Sequence, residues 1–266
     1  GRLFLPYFKN GYVCYYATRA MPGSGFQDNK YMKASLAECA SYEHVPWGLH
    51  TLPKRNDLLV IAEGYFDAVS FEREGYAVIS PITGNFSKDQ WPEVIAACKM
   101  FPRVLIIFDN DAVSHAGDGF THRTAHKLFR EKIPFLVAHT PQGIKDVNDY
   151  YTGGGSLENL ITTAQDGLKY MCAQYTDAVE LKNFVMSINR YTDPTAITDA
   201  LFQPVLAERF APAVLKNIDK AAHTAPSENT VVNEIIRKHD IIYVDKGERN
   251  KKTANGFRAF GNFLNN

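Results

Sequence analysis

Two short apolar runs, each followed directly by carboxylates, constrain the fold of this 266-residue chain more than any other feature. The run 58–62 leads into the motif 63–67 (Glu-Gly-Tyr-Phe-Asp), and the run 104–108 leads into the motif 109–111 (Asp-Asn-Asp). Neither run has a helical period, and both are rich in branched side chains, which is typical of strands buried on both faces of a parallel sheet. Helix-like segments follow, so the acids lie at the carboxyl ends of strands, where open α/β sheets bind ligands. The sequence therefore predicts a divalent-metal site at this sheet edge.

The alternation of strand-like and helix-like segments predicts a compact α/β unit. Further strands are predicted at 76–80 and 135–139, and helices at 68–74, 87–100 and 116–131. Gly75 is placed to end the first of these helices, and Ser87 with Gln90 has the spacing of a capping box at the start of the second. Four strands separated by helices favour a mostly parallel sheet with helices packed on it.

Composition divides the chain into four predicted regions. They are a basic β-rich N-terminal lobe (1–56), an α/β domain (57–152), a helical region (153–225) and a linker or tail (226–266). In the first region, Asn10 and Gly11 lie between two β-rich runs and predict a tight hairpin. In the last, a helix is predicted near 231–236 and a strand at 241–244, before a basic run.

Composition also excludes several classes of protein. No apolar run approaches the roughly 18 residues of a membrane span, and the N-terminus lacks a signal-peptide pattern, so we expect no membrane partner. The four cysteines are scattered without a Cys-x-x-Cys pair, which argues against a zinc module and indicates a reducing compartment. Because Gly1 and Arg2 open the chain directly before a strand-like run, we expect a fragment of a longer protein.

Charge is distributed unevenly although the formal net charge is zero. Residues 1–56 hold seven Lys and Arg against three acids, residues 57–236 hold fifteen against twenty-three, and the last thirty residues return to an excess of four positive charges. An acidic centre between basic ends suits polyanion binding around a metal-loaded core. Uneven surface composition is an equally good explanation from charge alone.

Basic and aromatic residues interleave in the N-terminal region. Arg19 follows the second β-rich run of this region (12–17), and Lys30, Tyr31 and Lys33 come after a glycine-rich stretch. This composition suits phosphate contact combined with base stacking, so these residues are candidates for nucleic-acid or nucleotide binding. Tyr31, like Trp47, could instead belong to the core of a small β domain.

A third acidic segment completes the predicted metal site. Asp146 and Asn148 follow the strand predicted at 135–139 and repeat the i, i+2 spacing of the motif 109–111. Two unit charges 4 Å apart repel by about 4 kcal/mol at an effective dielectric near 20, so converging carboxylates need a cation. Mg²⁺ prefers hard oxygen ligands, and two such ions about 3.5–4 Å apart can activate an attacking oxygen and stabilise a leaving one. Each acid could instead be a helix cap, but three groups at successive strand ends favour the metal site.

A second row of potential ligands lies on the helix predicted at 116–131. Asp118, His122 and His126 are spaced i, i+4, i+8, which could bind a transition metal. A solvated helix face explains the same spacing and is the favoured interpretation.

These motifs resemble the TOPRIM domain. The matching residues are Glu63-Gly64-Tyr65-Phe66-Asp67, Gly84 and Phe108-Asp109-Asn110-Asp111. Within the proteins that share this domain, the chain is most similar to bacterial and phage DnaG-type primases, because the segments of its first region follow the order of that family's basic lobe. Those segments are Leu5-Pro6-Tyr7, Thr18-Arg19-Ala20, Lys30-Tyr31-Met32 and Trp47-Gly48-Leu49. The resemblance covers about residues 1–152 and implies a TOPRIM fold.

The resemblance implies roles for the matching positions. The implied catalytic residues are Glu63, as metal ligand or general base, with Asp109 and Asp111. The implied metal ligands are Glu63, Asp67, Asp109, Asp111 and Asp146. Arg19 and Lys30 belong to the basic ridge that guides template and nucleotide phosphates. Three positions depart from the pattern: Lys33 stands where the family often has Asn, Asn148 where many members have Asp, and Ala116-Gly117 four residues later than usual.

The function implied by the resemblance is that of a primase RNA-polymerase core. Such a core uses Mg²⁺, for which Mn²⁺ can substitute, and joins ribonucleoside triphosphates on a single-stranded DNA template. The implied partners include a replicative helicase, fused or separate, and the implied location is the bacterial cytoplasm. The upstream zinc-binding module of the family is not part of this sequence. A TOPRIM metallonuclease of the OLD type and a non-catalytic RecR-type nucleic-acid-binding module are the alternatives.

Overall fold

A computed structural model places most of the chain. It describes residues 1–25, 29–35, 39, 45–52, 57–82, 84–107, 116–189 and 192–224, without the side chains of 116–118. The helix and strand predicted in the tail, at 231–236 and 241–244, lie outside these residues. The chain divides into two compact units, Gly1–Met171 and a second unit that begins at Cys172. The four-region division remains a prediction.

The N-terminal region is an antiparallel sheet of three strands. These are β1 (Arg2–Lys9), β2 (Tyr12–Ala20) and β3 (Tyr31–Lys33), in the order β1-β2-β3. Asn10 and Gly11 take positive φ values of 51° and 81°, the backbone of a tight two-residue turn, so the predicted hairpin is confirmed. Alternate side chains such as Leu5, Tyr7 and Ala17 are buried, which leaves the other face of the sheet more exposed.

The central sheet has five strands in the order β5-β4-β6-β7-β8. Their bounds are β4 (Leu58–Ala62), β5 (Ala77–Ile79), β6 (Arg103–Ile107), β7 (Phe135–Ala138) and β8 (Gln165–Asp166). The first four are parallel, and every residue of β4 is buried, as the apolar run predicted. The sheet extends past residue 152, because β8 pairs antiparallel with β7.

Six α-helices accompany this sheet in the described part of the first unit, the last of them ending two residues into the second unit. They are α1 (Tyr65–Arg73), α2 (Trp91–Cys98), α3 (Ala116–Arg130), α4 (Val147–Thr152), α5 (Leu157–Thr162) and α6 (Gly167–Ala173). The predicted N-cap at Ser87 is wrong, since α2 is capped by Gln90 and begins at Trp91. The contact expected from the capping-box spacing is nevertheless present, because Gln90 Oε1 accepts the Ser87 N–H at 2.9 Å. Pro92 explains the difference: it has no N–H to bond in a helix interior, so it fits only within the first turn.

The N-terminal sheet region is fastened to the edge strand β5 by a short segment around Trp47. The backbone N–H of Trp47 donates to the Ser80 carbonyl at 3.0 Å, and the Ser80 N–H donates back at 2.9 Å. The Val78 N–H donates to Thr51 Oγ1 at 2.8 Å. Trp47 itself is 3% exposed, so its interpretation as a core residue is confirmed.

The second unit is helical where it is described. Its helices are α7 (Ala178–Ile188), α8 (Pro194–Leu201), α9 (Pro204–Arg209) and α10 (Pro212–Thr224). The last three begin at prolines, which lose no helical hydrogen bond at that position, so the predicted role of prolines as helix boundaries is confirmed. None of the helices in the described parts of the chain combines the length and apolarity that a bilayer-spanning segment needs.

Candidate active site

A pocket of about 450 Å³ lies at the carboxyl end of β4, where the sequence predicted a site. Its acidic lining residues are Glu63, Asp67, Asp146 and Asp149. Its basic and aromatic lining residues are Arg19, Lys30, Tyr31, Phe66, Phe120 and Lys145. The structure therefore brings the first and third acidic motifs together with the candidate nucleic-acid residues of the N-terminal region.

One predicted site residue lies outside the pocket, and two are not among the described residues. Lys33 lies two residues from Tyr31 on the same face of β3 but does not line the pocket. Asp109 and Asp111 lie outside the described residues. In sequence they follow β6, which pairs directly with β4. Their metal-binding and catalytic roles remain predictions.

The turn that carries Glu63 is fixed by the neighbouring strand end. Ser80 Oγ donates to the Glu63 carbonyl at 3.0 Å and accepts the Ile82 N–H at 2.9 Å. Ile82 has a φ of 64°, which is costly for a β-branched residue and is therefore held by its surroundings. Gly64 forms a parallel bridge with Ile82, so this strained residue supports the backbone next to Glu63.

Asp67 joins the first acidic motif to the third. The residue lies in the first turn of α1 and is 6% exposed. Oδ2 accepts the Gly64 N–H at 3.1 Å, and Oδ1 accepts the Asn148 N–H at 3.0 Å. A Cβ at Gly64 would approach Oδ2 to 2.5 Å, so only glycine leaves room for this arrangement. Asp67 thus holds two pocket walls together, while its predicted role as a metal ligand remains untested.

The third acidic motif is held by its own cap. Asp146 is the N-cap of α4, and its Oδ1 accepts the Asp149 N–H at 2.8 Å. Asn148, which stands where many primases have Asp, contributes its backbone N–H to Asp67 rather than a charge. This contact comes from the backbone, so it can be made with either Asp or Asn at position 148.

Burial gives Asp67 an unusual titration. Burial raises the pKa of its carboxyl above the ordinary value of 3.8, the backbone N–H of Asn148 opposes this, and the nearby Asp146 adds to it. A folded-state pKa above the unfolded value means that the native state binds a proton at higher pH than the unfolded chain does. Ionised Asp67 therefore costs stability at neutral pH, and this cost disappears as pH falls through the folded pKa.

We expect the stability of the wild-type chain relative to Asp67→Asn to rise as the pH is lowered from about 7 toward about 4. Urea unfolding at several pH values, with EDTA present, measures the difference. Asp193→Asn is the opposite-sign control, because hydrogen bonds from the Ala196 and Thr195 N–H groups lower the pKa of Asp193. There the wild-type advantage declines as pH falls, and the same trend at Asp67 would contradict the assigned cause.

Arg19 links the N-terminal sheet to the motif 63–67. Its guanidinium donates to the Tyr31 hydroxyl at 2.6 Å and lies 4.3 Å from the centre of the Phe66 ring. These contacts hold the charge in one orientation at the pocket wall, in place of the many rotamers of an exposed arginine. Sequence reasoning did not identify Phe66 as a functional residue. Its position inside the motif 63–67 is the feature that could have identified it.

The pocket has the kind of ligand that Mg²⁺ requires, but the described residues do not supply a complete set of metal ligands. Within residues 1–107 and 116–224, less the short gaps given above, no three His, Cys, Asp or Glu side chains form a metal-binding group. Glu63, Asp67 and Asp146 nevertheless offer hard carboxylate oxygens to one cavity. The donor type therefore fits Mg²⁺, and the metal site stays a prediction that depends on Asp109 and Asp111.

Comparison with known proteins agrees with this geometry. Residues 60–151 match the family described as Toprim-like. A DNA primase of Thermotoga maritima is 27% identical over 173 residues, which cover 62% of this chain and 29% of the relative. The chain thus spans under a third of that primase.

Solved structures show the same fold. The zinc-binding and RNA-polymerase domains of Aquifex aeolicus primase superpose with a TM-score of 0.56 at 18% identity, covering 85% of this chain and 52% of that one. A DnaG primase catalytic domain bound to single-stranded DNA gives a TM-score of 0.53 at 15% identity, covering 84% and 70%. The chain is therefore an α/β protein whose central segment, residues 60–151, matches the Toprim-like family. Its fold is that of the catalytic cores of DnaG-type primases.

Proposed function

We propose that this chain is the catalytic core of a DNA primase, which joins ribonucleoside triphosphates on a single-stranded DNA template. The observation that carries the proposal is the composition of the one pocket at the end of β4. Carboxylates of the Toprim-like segment line it together with basic and aromatic residues of the N-terminal region. The similarity to a curated DNA primase and the DNA-bound DnaG relative support the same choice.

In this proposal each side of the pocket has its own task. Glu63 accepts the proton of the primer 3′-hydroxyl or orients that hydroxyl, and Asp109 with Asp111 would hold Mg²⁺. Bound Mg²⁺ lowers the pKa of the hydroxyl and neutralises charge on the triphosphate. Arg19 and Lys30, which line the same pocket, bind phosphates. The proposal includes a replicative helicase as a partner and the bacterial cytoplasm as the place of action.

Template-dependent synthesis tests the function directly. The full chain is incubated with single-stranded DNA, the four ribonucleoside triphosphates and Mg²⁺ or Mn²⁺, beside Asp109→Asn and Asp111→Asn. We expect incorporation in the wild type and loss in both variants. Cleavage of labelled DNA without incorporation would favour a metallonuclease, and DNA binding without divalent-metal binding would favour a non-catalytic module.

The orientation of Arg19 gives a second prediction for the same assay. Arg19→Lys keeps the charge but removes the planar contact with Phe66, so we expect about 3- to 10-fold weaker binding of single-stranded DNA or a comparable rise in nucleotide KM. Fluorescence anisotropy and initial rates measure the two effects. Arg73→Lys is the matched control, because Arg73 lies 5.8 Å from the Tyr151 ring and does not line the pocket. Equal effects of the two substitutions would contradict the role given to Arg19.

A further inference from the structure

Two histidines on α3 lie outside the acidic pocket and have no part in the proposed function. His122 and His126 are one helical turn apart, and their Nε2 atoms are 2.9 Å from each other. The rings are nearly perpendicular, at 81°, with centroids 4.2 Å apart. Both side chains are half-buried, so the nitrogen pair lies at a partly exposed helix face.

We propose that His122 and His126 form a chelating site for a borderline divalent transition metal, with Cu²⁺ and Ni²⁺ preferred. The two imidazole donors carry the preference, because nitrogen ligands bind Cu²⁺ more tightly than other first-row divalent metals, and the distance between the nitrogens is compatible with it. With metal–nitrogen bonds of about 2.0–2.1 Å, nitrogens 2.9 Å apart subtend about 90° at a shared metal. Tetrahedral Zn²⁺ would need them about 3.3 Å apart at the same bond length. An angle near 90° belongs to tetragonal sites, which are typical of Cu²⁺ and Ni²⁺.

Burial and neighbouring positive charges lower the pKa of both rings, which favours the neutral imidazole. Burial lowers the pKa of His122, and the neighbouring Arg123 lowers it further. Burial, His122 and Arg130 lower the pKa of His126 in the same direction. A neutral imidazole retains one nitrogen lone pair, and metal ligation requires that lone pair.

Metal binding replaces an interaction of small net value. Without metal, one Nε2–H donates to the other Nε2, and a hydrogen bond of this kind contributes little net free energy in water. The buried Nδ1 of His122 has no hydrogen-bond partner among the described residues. With metal, both protons reside on Nδ1 and both Nε2 lone pairs face the ion, so the two rings stay neutral and no net proton is released. Two ligands from one rigid helix turn reach the metal together, which supplies the chelate advantage.

Copper titration of the full chain tests the site. Cu²⁺ is added in excess Mg²⁺, which occupies hard-oxygen sites and leaves imidazoles free, and electron paramagnetic resonance counts the coordinated nitrogens. We expect two equivalent nitrogens in the wild type and one in each of His122→Ala and His126→Ala, with copper affinity reduced about 10-fold or more. The double variant should bind scarcely more weakly than either single variant, because one replacement already removes the chelate.

Another histidine of the chain provides the control for the copper titration. His223→Ala should change nothing, since His223 lies beside Asp219 on α10 rather than beside a second imidazole. Unchanged affinity in both single variants would overturn the proposal. A wild-type spectrum without coupling to two nitrogens would also overturn it, and that measurement needs no variant to fold. The nitrogen count is independent of primer synthesis, so failure here leaves the proposed function untouched.

Discussion

Replacing Glu63 by glutamine is expected to reduce template-dependent ribonucleotide incorporation by about 10²- to 10⁴-fold, the range for loss of a positioned general base. The substitution keeps the size of the side chain and removes its charge and basicity. Because Ser80 Oγ donates to the Glu63 backbone carbonyl, which the substitution leaves in place, the turn itself should survive. Initial rates of primer synthesis measure the effect, and anisotropy with single-stranded DNA should show nearly unchanged binding.

Glu158→Gln is the matched control for this experiment. Glu158 is exposed in the first turn of α5 and does not line the pocket. Its substitution removes one negative charge from the same unit, so a general effect of net charge on DNA binding would appear in both variants. Retention of more than a tenth of wild-type activity by Glu63→Gln would remove Glu63 from the catalytic role.

The largest expected effect on stability comes from Gly48→Ala. Gly48 has a φ of 103°, and a Cβ there would lie 2.0 Å from the Val78 carbonyl oxygen. That oxygen belongs to the edge strand β5, which cannot retreat without disturbing its pairing with β4. Backbone strain and overpacking together should lower the free energy of unfolding by about 2–5 kcal/mol. Urea unfolding followed by circular dichroism gives the value.

Gly11→Ala separates backbone strain from the steric clash. Gly11 also has a positive φ, 81°, but a Cβ there would meet no atom within 4 Å. Its substitution should therefore cost only the strain, about 1–2 kcal/mol. If the two alanine variants were equally stable, the close approach of Gly48 to β5 would carry no energetic weight.

The parts of the site that could be predicted from sequence are those set by local periodicity. Buried parallel strands have a strong apolar signal, and residues that follow such strands must lie at one sheet edge. For this reason the sequence predicts that Glu63 and Asp146 lie at one sheet edge, and both line the pocket there. The hairpin at Asn10 and Gly11 was predictable for a similar reason, since its turn type demands residues that tolerate positive φ.

The features that escaped prediction depend on contacts between distant segments. Asp67 accepts the N–H of Asn148, 81 residues further along the chain, and no local sequence pattern predicts such a contact. Strand β8 has only two residues, both polar, and forms because β7 offers it an unpaired side. The positive φ of Ile82 contradicts local preference altogether, and only surrounding structure can hold such a residue.

The joint between Trp47 and Ser80 has a practical consequence for dissecting this protein. Backbone groups of β5 that would otherwise face solvent are covered by the segment from Trp47 to Thr51. A polypeptide shortened to begin at residue 57 would bare that strand, and bare strand edges recruit one another into aggregates. Expression of the Toprim-like segment alone would therefore yield an aggregation-prone product. A polypeptide that begins ahead of the β1–β2 hairpin keeps the edge of β5 covered.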